Sequence, residues 1–241
     1  MDAILPVYKP VGITSFDVIR AFKRAQREDQ SPMSREVLAG KIGHGGTLDP
    51  FADGVLLILL GKATKKMNEL SALPKTYRAV AKLGASSDTL DRTGEIVKQI
   101  TNHKFSNAQI IEIATHFVGE IEQEIPDYSA TKINGVPRYK LARAGTEMER
   151  KSKLVTIHKL DIDKIENDLV TFSSTVSSGT YIRQLSYDIF KAVGVESYLE
   201  KLTRTEIGNF NLAKCCEIAS FSDLKWQDKA RPLLPPAPDA S

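Results

Sequence analysis

The sequence predicts an α+β fold, in which short strands outnumber helices and the two do not alternate strictly. Three observations predict it: the unbroken apolar run "VLLILL" at 55–60, alternating segments such as "KTYRAVAKLG", and only a few segments with helical apolar spacing. The 241 residues suffice for one large domain or two small ones. A hydrophobic content of 41% and a charged content of 26% are typical of a soluble globular protein.

The first third of the chain predicts one helix and one buried strand. After the Pro/Gly turn of "VYKPVGITS", Thr14 and Asp17 match the Ser/Thr-x-x-acid signature that opens a helix. The polar residues 28–40 predict irregular structure. The apolar run at 55–60 predicts a strand that is buried on both faces, because no polar side chain interrupts it.

The rest of the chain predicts two further helices, one at 106–118 with Gly119 as its stop and one within "SSGTYIRQLSYDIFKAVG", after its glycine turn and as far as Gly194. The apolar face of the former is expected to comprise Ile110, Ile111, Ala114, Phe117 and Val118. Further strands are predicted at 75–84, 95–100, 154–165, 169–176, 198–207 and 211–218. The prolines of "KARPLLPPAPDAS" predict a disordered tail over 226–241, and the folded domain is expected to span 1–225.

The composition narrows the functional classes. Cys215 and Cys216 are adjacent and the four histidines are scattered, so no metal-ligand spacing is present and a reducing compartment is expected. The N-terminus lacks the pattern of a signal peptide, and the run at 55–60 is too short to cross a bilayer. A net charge of +3 permits a nucleic-acid partner without requiring one.

The segment from Ile125 to Lys153 carries a local excess of positive charge. Seven basic residues stand against three acidic ones, so the local charge is 7 − 3 = +4, which exceeds the net +3 of the whole chain. Tyr128 and Tyr139 lie among these charges. The segment is either a solvated surface hairpin or an arm that grips a phosphate backbone.

The loop "GHGGTLDP" before the apolar strand holds the candidate reactive groups. It is not a Walker phosphate loop, because the glycine spacing differs and Ala63 follows Lys62 where Ser or Thr is needed. Asp49 lies next to a buried strand, where a carboxylate loses solvation and needs a cation to stay ionised. Taken alone, Asp49 is best interpreted as a turn former and His44 as a hydrogen-bonding residue.

Six motifs in order, between Leu5 and Ile218, resemble the TruB family of tRNA pseudouridine synthases. They are "YKPVGITS", "GHGGTLDPFADGVLLILLGKATK", "KTYRAVAKLG", "SDTLDRTG", "SSGTYIRQL" and "YLEKLTRTEIG". The resemblance implies the pseudouridine synthase fold, a mixed, mainly antiparallel sheet flanked by helices, with 125–153 as a basic RNA-gripping insertion in a catalytic domain over 1–225. It implies isomerisation of uridine, typically nucleotide 55 in the tRNA T-loop, by base flipping. No cofactor is expected, because nothing is oxidised and no group is imported.

The resemblance also implies roles for individual residues. Asp49 matches the nucleophile and Arg183 the arginine that pairs with it. Tyr77 matches the tyrosine that stacks on the base and helps to remove the C5 proton. Further matches, with roles in positioning or binding the substrate, are Asp91 near the arginine, Tyr181 and Leu202 lining the uridine pocket, His44 at the extruded nucleotide, and Lys9 with Pro10 beneath the site.

The expected partner is the T-arm of tRNA, with no membrane and no obligatory protein partner. A monomer in the cytoplasm is expected, with an organelle interior as the alternative, and the chain resembles a short form without the C-terminal PUA module of bacterial relatives. Three rival functions remain open: an RNA-binding or tRNA-folding protein that does not use the Asp49–Arg183 pair, a guide-RNA-dependent pseudouridine synthase, and a two-carboxylate glycosidase.

Overall fold

A computed structural model of the chain describes residues 1–98, 106–223 and 225–233. The chain divides into two compact units, one formed by Met1–Leu73 with Arg204–Ser241 and the other by Pro74–Thr203. The sequence predicted one domain over 1–225. The second unit is a continuous segment between the two parts of the first, a pattern that neither composition nor local periodicity reveals.

The strands in chain order are β1 Ala3–Lys9, β2 Ile42–His44, β3 Asp53–Leu60, β4 Lys75–Leu83, β5 Ala85–Ser87, β6 Ile96–Lys98, β7 Gly119–Glu124, β8 Lys132–Ile133, β9 Val136–Pro137, β10 Ser152–Glu166, β11 Leu169–Val176, β12 Ser197–Ile207, β13 Phe210–Asn211 and β14 Arg231–Pro232. The helices are α1 Ser15–Asp29, α2 Pro32–Ala39, α3 Met67–Ala72, α4 Asn107–Thr115, α5 Arg138–Arg143, α6 Ile182–Ala192 and α7 Trp226–Lys229. The prediction of an α+β chain with mainly antiparallel strands is confirmed.

In the first unit, β3 is the central strand and is buried on both faces, as predicted. It pairs antiparallel with β1 from Ala3↔Leu60 to Lys9↔Gly54, and β2 pairs with its last residues. Leu56, Ile58 and Leu60 pack in the cluster formed with α1. The alternate side chains, Val55, Leu57 and Leu59, pack against α3 and the end of β12. Since both faces meet apolar neighbours, this strand is a rigid support for the loop that precedes it.

Helix α1 confirms the predicted capping box, because Thr14 accepts a hydrogen bond from the Asp17 amide and Asp17 accepts one from the Thr14 amide. The predicted irregular structure at 28–40 is wrong, since α2 occupies Pro32–Ala39. Ser31 caps this helix and Pro32 takes its first position. That pairing of cap and proline is a helix-start signal, which the polarity of the segment obscured.

The C-terminal part of the first unit is packed further than composition predicts. Trp226 is fully buried, with its ring 5.1 Å from Phe22 in an edge-on contact. Pro232 in β14 pairs with Ala3. The packed chain therefore extends past the predicted boundary at 225. The predicted disordered tail over 226–241 is wrong for 226–233, and 234–241 lie outside the described residues. The predicted strand at 211–218 is wrong, because only Phe210–Asn211 is a strand and Cys216 alone forms a bridge, to Val7.

In the second unit, the strand order is β12-β4-β11-β10-β7, with β12 belonging to this unit as far as Thr203. Helix α4 ends at Thr115, three residues before the predicted end, and Gly119 begins β7 with a φ of 112°. Ile111 and Val118, predicted in the apolar face of that helix, are about half exposed. Part of the strand predicted at 95–100 is β6, and its last two residues lie outside the described residues.

Candidate active site

The loop Gly45–Ala52 carries Asp49 in the first unit, and hydrogen bonds hold its backbone at almost every residue. The Gly45 amide donates to the Leu57 carbonyl at 2.9 Å. Ser15 Oγ both accepts from the Leu48 amide, at 2.9 Å, and donates to the Leu48 carbonyl, at 3.1 Å. The Ala52 amide donates to the Asp49 carbonyl at 3.1 Å. The segment is therefore an ordered turn, and the backbone that presents the Asp49 carboxylate is held in place.

Lys9 is buried next to this loop. Its Nζ donates to the carbonyls of Pro10 and Ile13, at 2.8 and 2.9 Å. Burial lowers the pKa of Lys9 to about 8, the negative charges of Asp53 and Asp49 oppose this shift, and the positive charge of Arg204 adds to it. Lys9 therefore shapes the "YKPVGITS" turn and places a cation near the Asp49 carboxylate.

His44 ends β2, one residue before the loop. Burial, and to a smaller extent the positive charge of Arg204, lowers the pKa of His44 below its usual range, although a hydrogen bond with the Gly46 backbone opposes the shift. The neutral form of the ring is therefore favoured. Within the described part of the chain, its buried Nδ1 has no hydrogen-bond partner. A neutral imidazole at this position is suited to hydrogen bonding and not to holding a fixed positive charge.

Arg204 is a residue of this unit that the sequence interpretation missed. Only 1% of it is exposed, and its guanidinium donates to the carbonyls of Val55 (2.8 Å), Thr47 (3.1 Å) and Gly46 (3.4 Å). A signal was present: Leu202 and Arg204 are two residues apart in a strand and share one face. An arginine on the buried face of a strand needs several hydrogen-bond acceptors. Here the carbonyls of the loop that carries Asp49 and of the first residues of β3 provide them.

In the second unit, the structure brings Arg183 and Asp91 together. Both are buried, and Arg183 Nε lies 3.6 Å from Asp91 Oδ2. The same guanidinium donates to the carbonyls of Thr89, at 2.6 Å, and Tyr128, at 2.9 Å. Asp91 Oδ1 accepts from the Thr93 amide at 2.9 Å. Arg183 therefore joins the "SDTLDRTG" turn to the first residues of the basic insertion.

Tyr181 immediately precedes α6, and three side chains contact it. Gln123 binds the Tyr181 backbone from both sides, accepting from its amide at 2.8 Å and donating to its carbonyl at 3.1 Å. The Tyr181 hydroxyl lies 2.8 Å from Thr131 Oγ1, and Lys153 Nζ lies 4.3 Å above the ring. Tyr181 is thus in contact with residues from both ends of the insertion.

Tyr77 and Leu202 lie in β4 and β12, and 8% and 6% of their surfaces are exposed. Tyr77 pairs with Ser174 of β11 in the antiparallel ladder. Of the predicted site residues, Lys9, His44 and Asp49 therefore belong to the first unit, and Tyr77, Asp91, Tyr181, Arg183 and Leu202 belong to the second. The pairing of Asp49 with Arg183 stays a prediction from the motif resemblance.

The basic segment 125–153 contains β8, β9 and α5, and its charges are not equivalent. Arg138 is 1% exposed, pairs with Asp127 and donates to the Glu149 carbonyl at 3.1 Å, so it ties the two ends of the segment together. Lys153 covers the Tyr181 ring. The side chains of Lys132, Lys140 and Arg143 are exposed. Some of the basic residues predicted in this segment therefore stabilise its own fold, and others form a solvent-facing basic surface.

Two features are absent from the described residues. Across 1–98, 106–223 and 225–233, no group of three or more His, Cys, Asp or Glu side chains is placed to hold a metal ion. In the same described ranges, no helix is both long and apolar enough to span a bilayer.

Comparison with known proteins shows a match to one family. Residues 35–182 match the TruB family pseudouridylate synthase (N terminal domain). The chain is 45% identical to the tRNA pseudouridine synthase B of Clostridium acetobutylicum over 213 residues, which cover 88% of this chain and 69% of that protein. It is 37% identical to the enzyme of the same name from Geobacter sulfurreducens over 224 residues, covering 93% and 70%.

A solved structure, the Cbf5-Nop10-Gar1 complex, contains a chain of similar fold, with a TM-score of 0.71 at 26% identity. The match covers 95% of this chain and 60% of that one. A second neighbour, from an H/ACA RNP bound to a substrate RNA containing 2'-deoxyuridine, matches with a TM-score of 0.68 at 24% identity over 59% of its length. The chain thus spans about three fifths of these two solved chains.

Proposed function

The chain belongs to the TruB family of pseudouridylate synthases, and from that membership we infer that it isomerises uridine to pseudouridine in tRNA. The target we propose is nucleotide 55 in the T-loop. The observation that supports this function most directly is Asp49 on a loop whose backbone is held by hydrogen bonds on both sides of that residue. A preorganised carboxylate is what nucleophilic catalysis at a flipped nucleotide requires.

The reaction needs four bond changes and no external reagent. The bond between C1′ of the ribose and N1 of the base breaks, the base turns while it stays bound, and a bond forms between C1′ and C5. N1 gains a proton and C5 loses one, so atoms and electrons balance without a cofactor. We propose that the Asp49 carboxylate is the nucleophile, whose bond to the nucleotide forms and breaks again before the product leaves, and that Tyr77 stacks on the base and helps to remove the C5 proton.

The remaining roles follow from the chemistry of each group and rest on the motif matches. We propose Arg183 as the cation that pairs with the Asp49 carboxylate, with Asp91 orienting it. Tyr181 and Leu202 are the proposed apolar lining of the uridine pocket, and His44 supports the nucleotide in its extruded form. The neutral state of His44 and its unpartnered Nδ1 within the described residues support a hydrogen-bonding role toward RNA. Lys9 supports the loop from beneath.

The choice between a free-standing enzyme and a guide-RNA-dependent one rests on the degree of similarity. The chain is 45% identical to a tRNA pseudouridine synthase B and 26% identical to the Cbf5-containing structure. We therefore propose tRNA as substrate, no obligatory protein partner, a monomeric state and a cytoplasmic location. We also propose that 125–153 is the RNA-gripping insertion of the catalytic part, and that this part continues past residue 225 to include the buried Trp226 and strand β14.

The proposed substrate is tested by incubating the purified chain with an unmodified tRNA transcript and mapping pseudouridine at each position. We expect modification of one uridine, in the T-loop, without any added protein or guide RNA. Modification that requires a guide RNA would favour the guided class. Tight binding of tRNA without any pseudouridine would favour a folding or binding protein.

The basic surface of the insertion is expected to provide affinity and not chemistry. Replacing Lys132, Lys140 and Arg143 together by glutamine should weaken tRNA binding. The plot of log affinity against log salt should become less steep, by about 2 in the magnitude of its slope, because three phosphate contacts are lost. The rate of conversion at saturating enzyme should remain that of the parent protein. Binding measured at four salt concentrations checks this.

A matched triple variant controls for the loss of three positive charges. Lys159, Lys164 and Lys225 are exposed and each pairs with a neighbouring carboxylate. Their replacement by glutamine should leave the salt slope unchanged. An equal effect of both triple variants would mean that net charge, and not the insertion, attracts the RNA.

A further inference from the structure

Arg204 contacts the chain on both sides of Asp49. Before Asp49, its guanidinium donates to the carbonyls of Gly46 and Thr47, at 3.4 and 3.1 Å. After Asp49, it donates through Nε to the carbonyl of Val55, at 2.8 Å. One buried side chain therefore bridges the two ends of the segment that presents the carboxylate.

The Arg204 backbone adds a second, steric contact at the same place. A Cβ atom on Gly54 would lie 2.2 Å from the Arg204 carbonyl oxygen and 2.7 Å from its amide nitrogen, and Gly54 has a φ of 114°. Only glycine allows so close an approach in this left-handed conformation. The start of β3 is thus packed directly against the main chain of Arg204. The Val55 carbonyl, which Arg204 Nε binds, directly follows this contact.

We propose that Arg204 is a positioning residue that clamps the Asp49 loop for the uridine isomerisation. It acts through the loop backbone and does not touch the substrate. This inference rests on the proposed function of Asp49. Its physical basis is the planar fork of the guanidinium, which supplies donors in several fixed directions to the carbonyls of Gly46, Thr47 and Val55.

Charge alone does not explain the choice of arginine at this position. Lys9 already supplies a buried cation close to Asp49 and Asp53. A lysine at 204 would keep the positive charge, but its ammonium is compact and cannot reach the carbonyls on both sides of the loop with the same geometry. The clamp therefore predicts that Arg204→Lys is damaging, whereas a purely electrostatic role predicts that it is tolerated.

The test measures the single-turnover rate of Arg204→Lys on tRNA at saturating enzyme, together with tRNA affinity and thermal unfolding. We expect the rate to fall about 100-fold, as for a misplacement of roughly 1 Å in a reacting group. The affinity for tRNA should be unchanged. A rate within threefold of the parent in folded Arg204→Lys would overturn the clamp, and so would a rate loss that disappears when the enzyme concentration is raised.

Chemical rescue gives a second, independent measurement. Added methylguanidinium should raise the single-turnover rate of Arg204→Ala at least tenfold, because it supplies the planar fork of donors. Added methylammonium should leave that rate unchanged. Equal rescue by both ions, or by neither, would contradict the clamp. Gln26→Met is the matched control for lost stability, since Gln26 is fully buried and donates to the Phe221 carbonyl away from the loop.

Failure of this inference and failure of the proposed function are distinguishable. If the parent protein forms no pseudouridine, the proposed function is wrong and Asp49 needs no positioning. If the parent is active and Arg204→Lys is equally active, only the clamp is wrong. A lower melting temperature in both Arg204→Lys and Gln26→Met, with a loss of rate in Arg204→Lys alone, supports the clamp.

Discussion

Asp49→Asn is expected to lower the single-turnover rate of uridine isomerisation by roughly 10⁴-fold or more, the scale seen when a covalent nucleophile is removed. The asparagine side chain has nearly the same shape, and the backbone bonds of Ser15, Ala52 and Leu48 do not involve the carboxylate. The fold and the affinity for tRNA should therefore stay as in the parent. Rates from rapid quench, with affinities from filter binding, check this.

Asp223→Asn is the matched control, because it makes the same change of charge in the same unit. Asp223 is exposed and pairs with Lys225 at 3.1 Å on the surface. The single-turnover rate of Asp223→Asn should equal that of the parent protein. A residual rate in Asp49→Asn within tenfold of the control would show that another group attacks the nucleotide.

Arg183→Met is expected to remove activity and to lower the free energy of unfolding by about 3 kcal/mol, because Asp91 would be left as a buried charge without its cation. The carbonyls of Thr89 and Tyr128 would lose a donor as well. Asp91 and Arg183 are both almost fully buried, so solvent does not screen the effect appreciably. Urea unfolding and single-turnover assays measure the two consequences separately.

The double variant Arg183→Met/Asp91→Asn separates the structural role of the arginine from its catalytic one. Neutralising Asp91 removes the uncompensated charge, so at least about 1 kcal/mol of the lost stability should return. Activity should not return, since the cation proposed for Asp49 is still missing. Recovery of activity along with stability would show that Arg183 serves only to support the second unit.

Elements determined by local pattern could be predicted from the sequence, and those determined by distant contacts could not. The run at 55–60 predicted β3, and Thr14 with Asp17 predicted the start of α1, because each signal lies within one short segment. The burial of Trp226 depends on Phe22, far away in the chain. The apolar pattern at 226–241 does not indicate that contact, and the proline content of the segment predicted disorder instead.

In the candidate site, too, residues within local motifs could be predicted and contacts between distant segments could not. The motifs identified Arg183 and Asp91, and the structure places them together in the second unit. Arg204 was missed although its motif was recognised, because the partners of a buried arginine are main-chain carbonyls that carry no sequence signature. Arg138 is one of the seven basic residues counted in the segment 125–153, and its burial against Asp127 and Glu149 removes it from the solvent-facing charge.

The central claim is that this chain moves the base of a tRNA uridine from N1 to C5 attachment, and the release of the C5 hydrogen tests it most directly. A tRNA transcript labelled with tritium at C5 of its uridines should release one equivalent of tritium into water per tRNA. Replacing the T-loop uridine by cytidine should abolish that release. Complete retention of tritium by a tRNA that the protein binds would contradict the account.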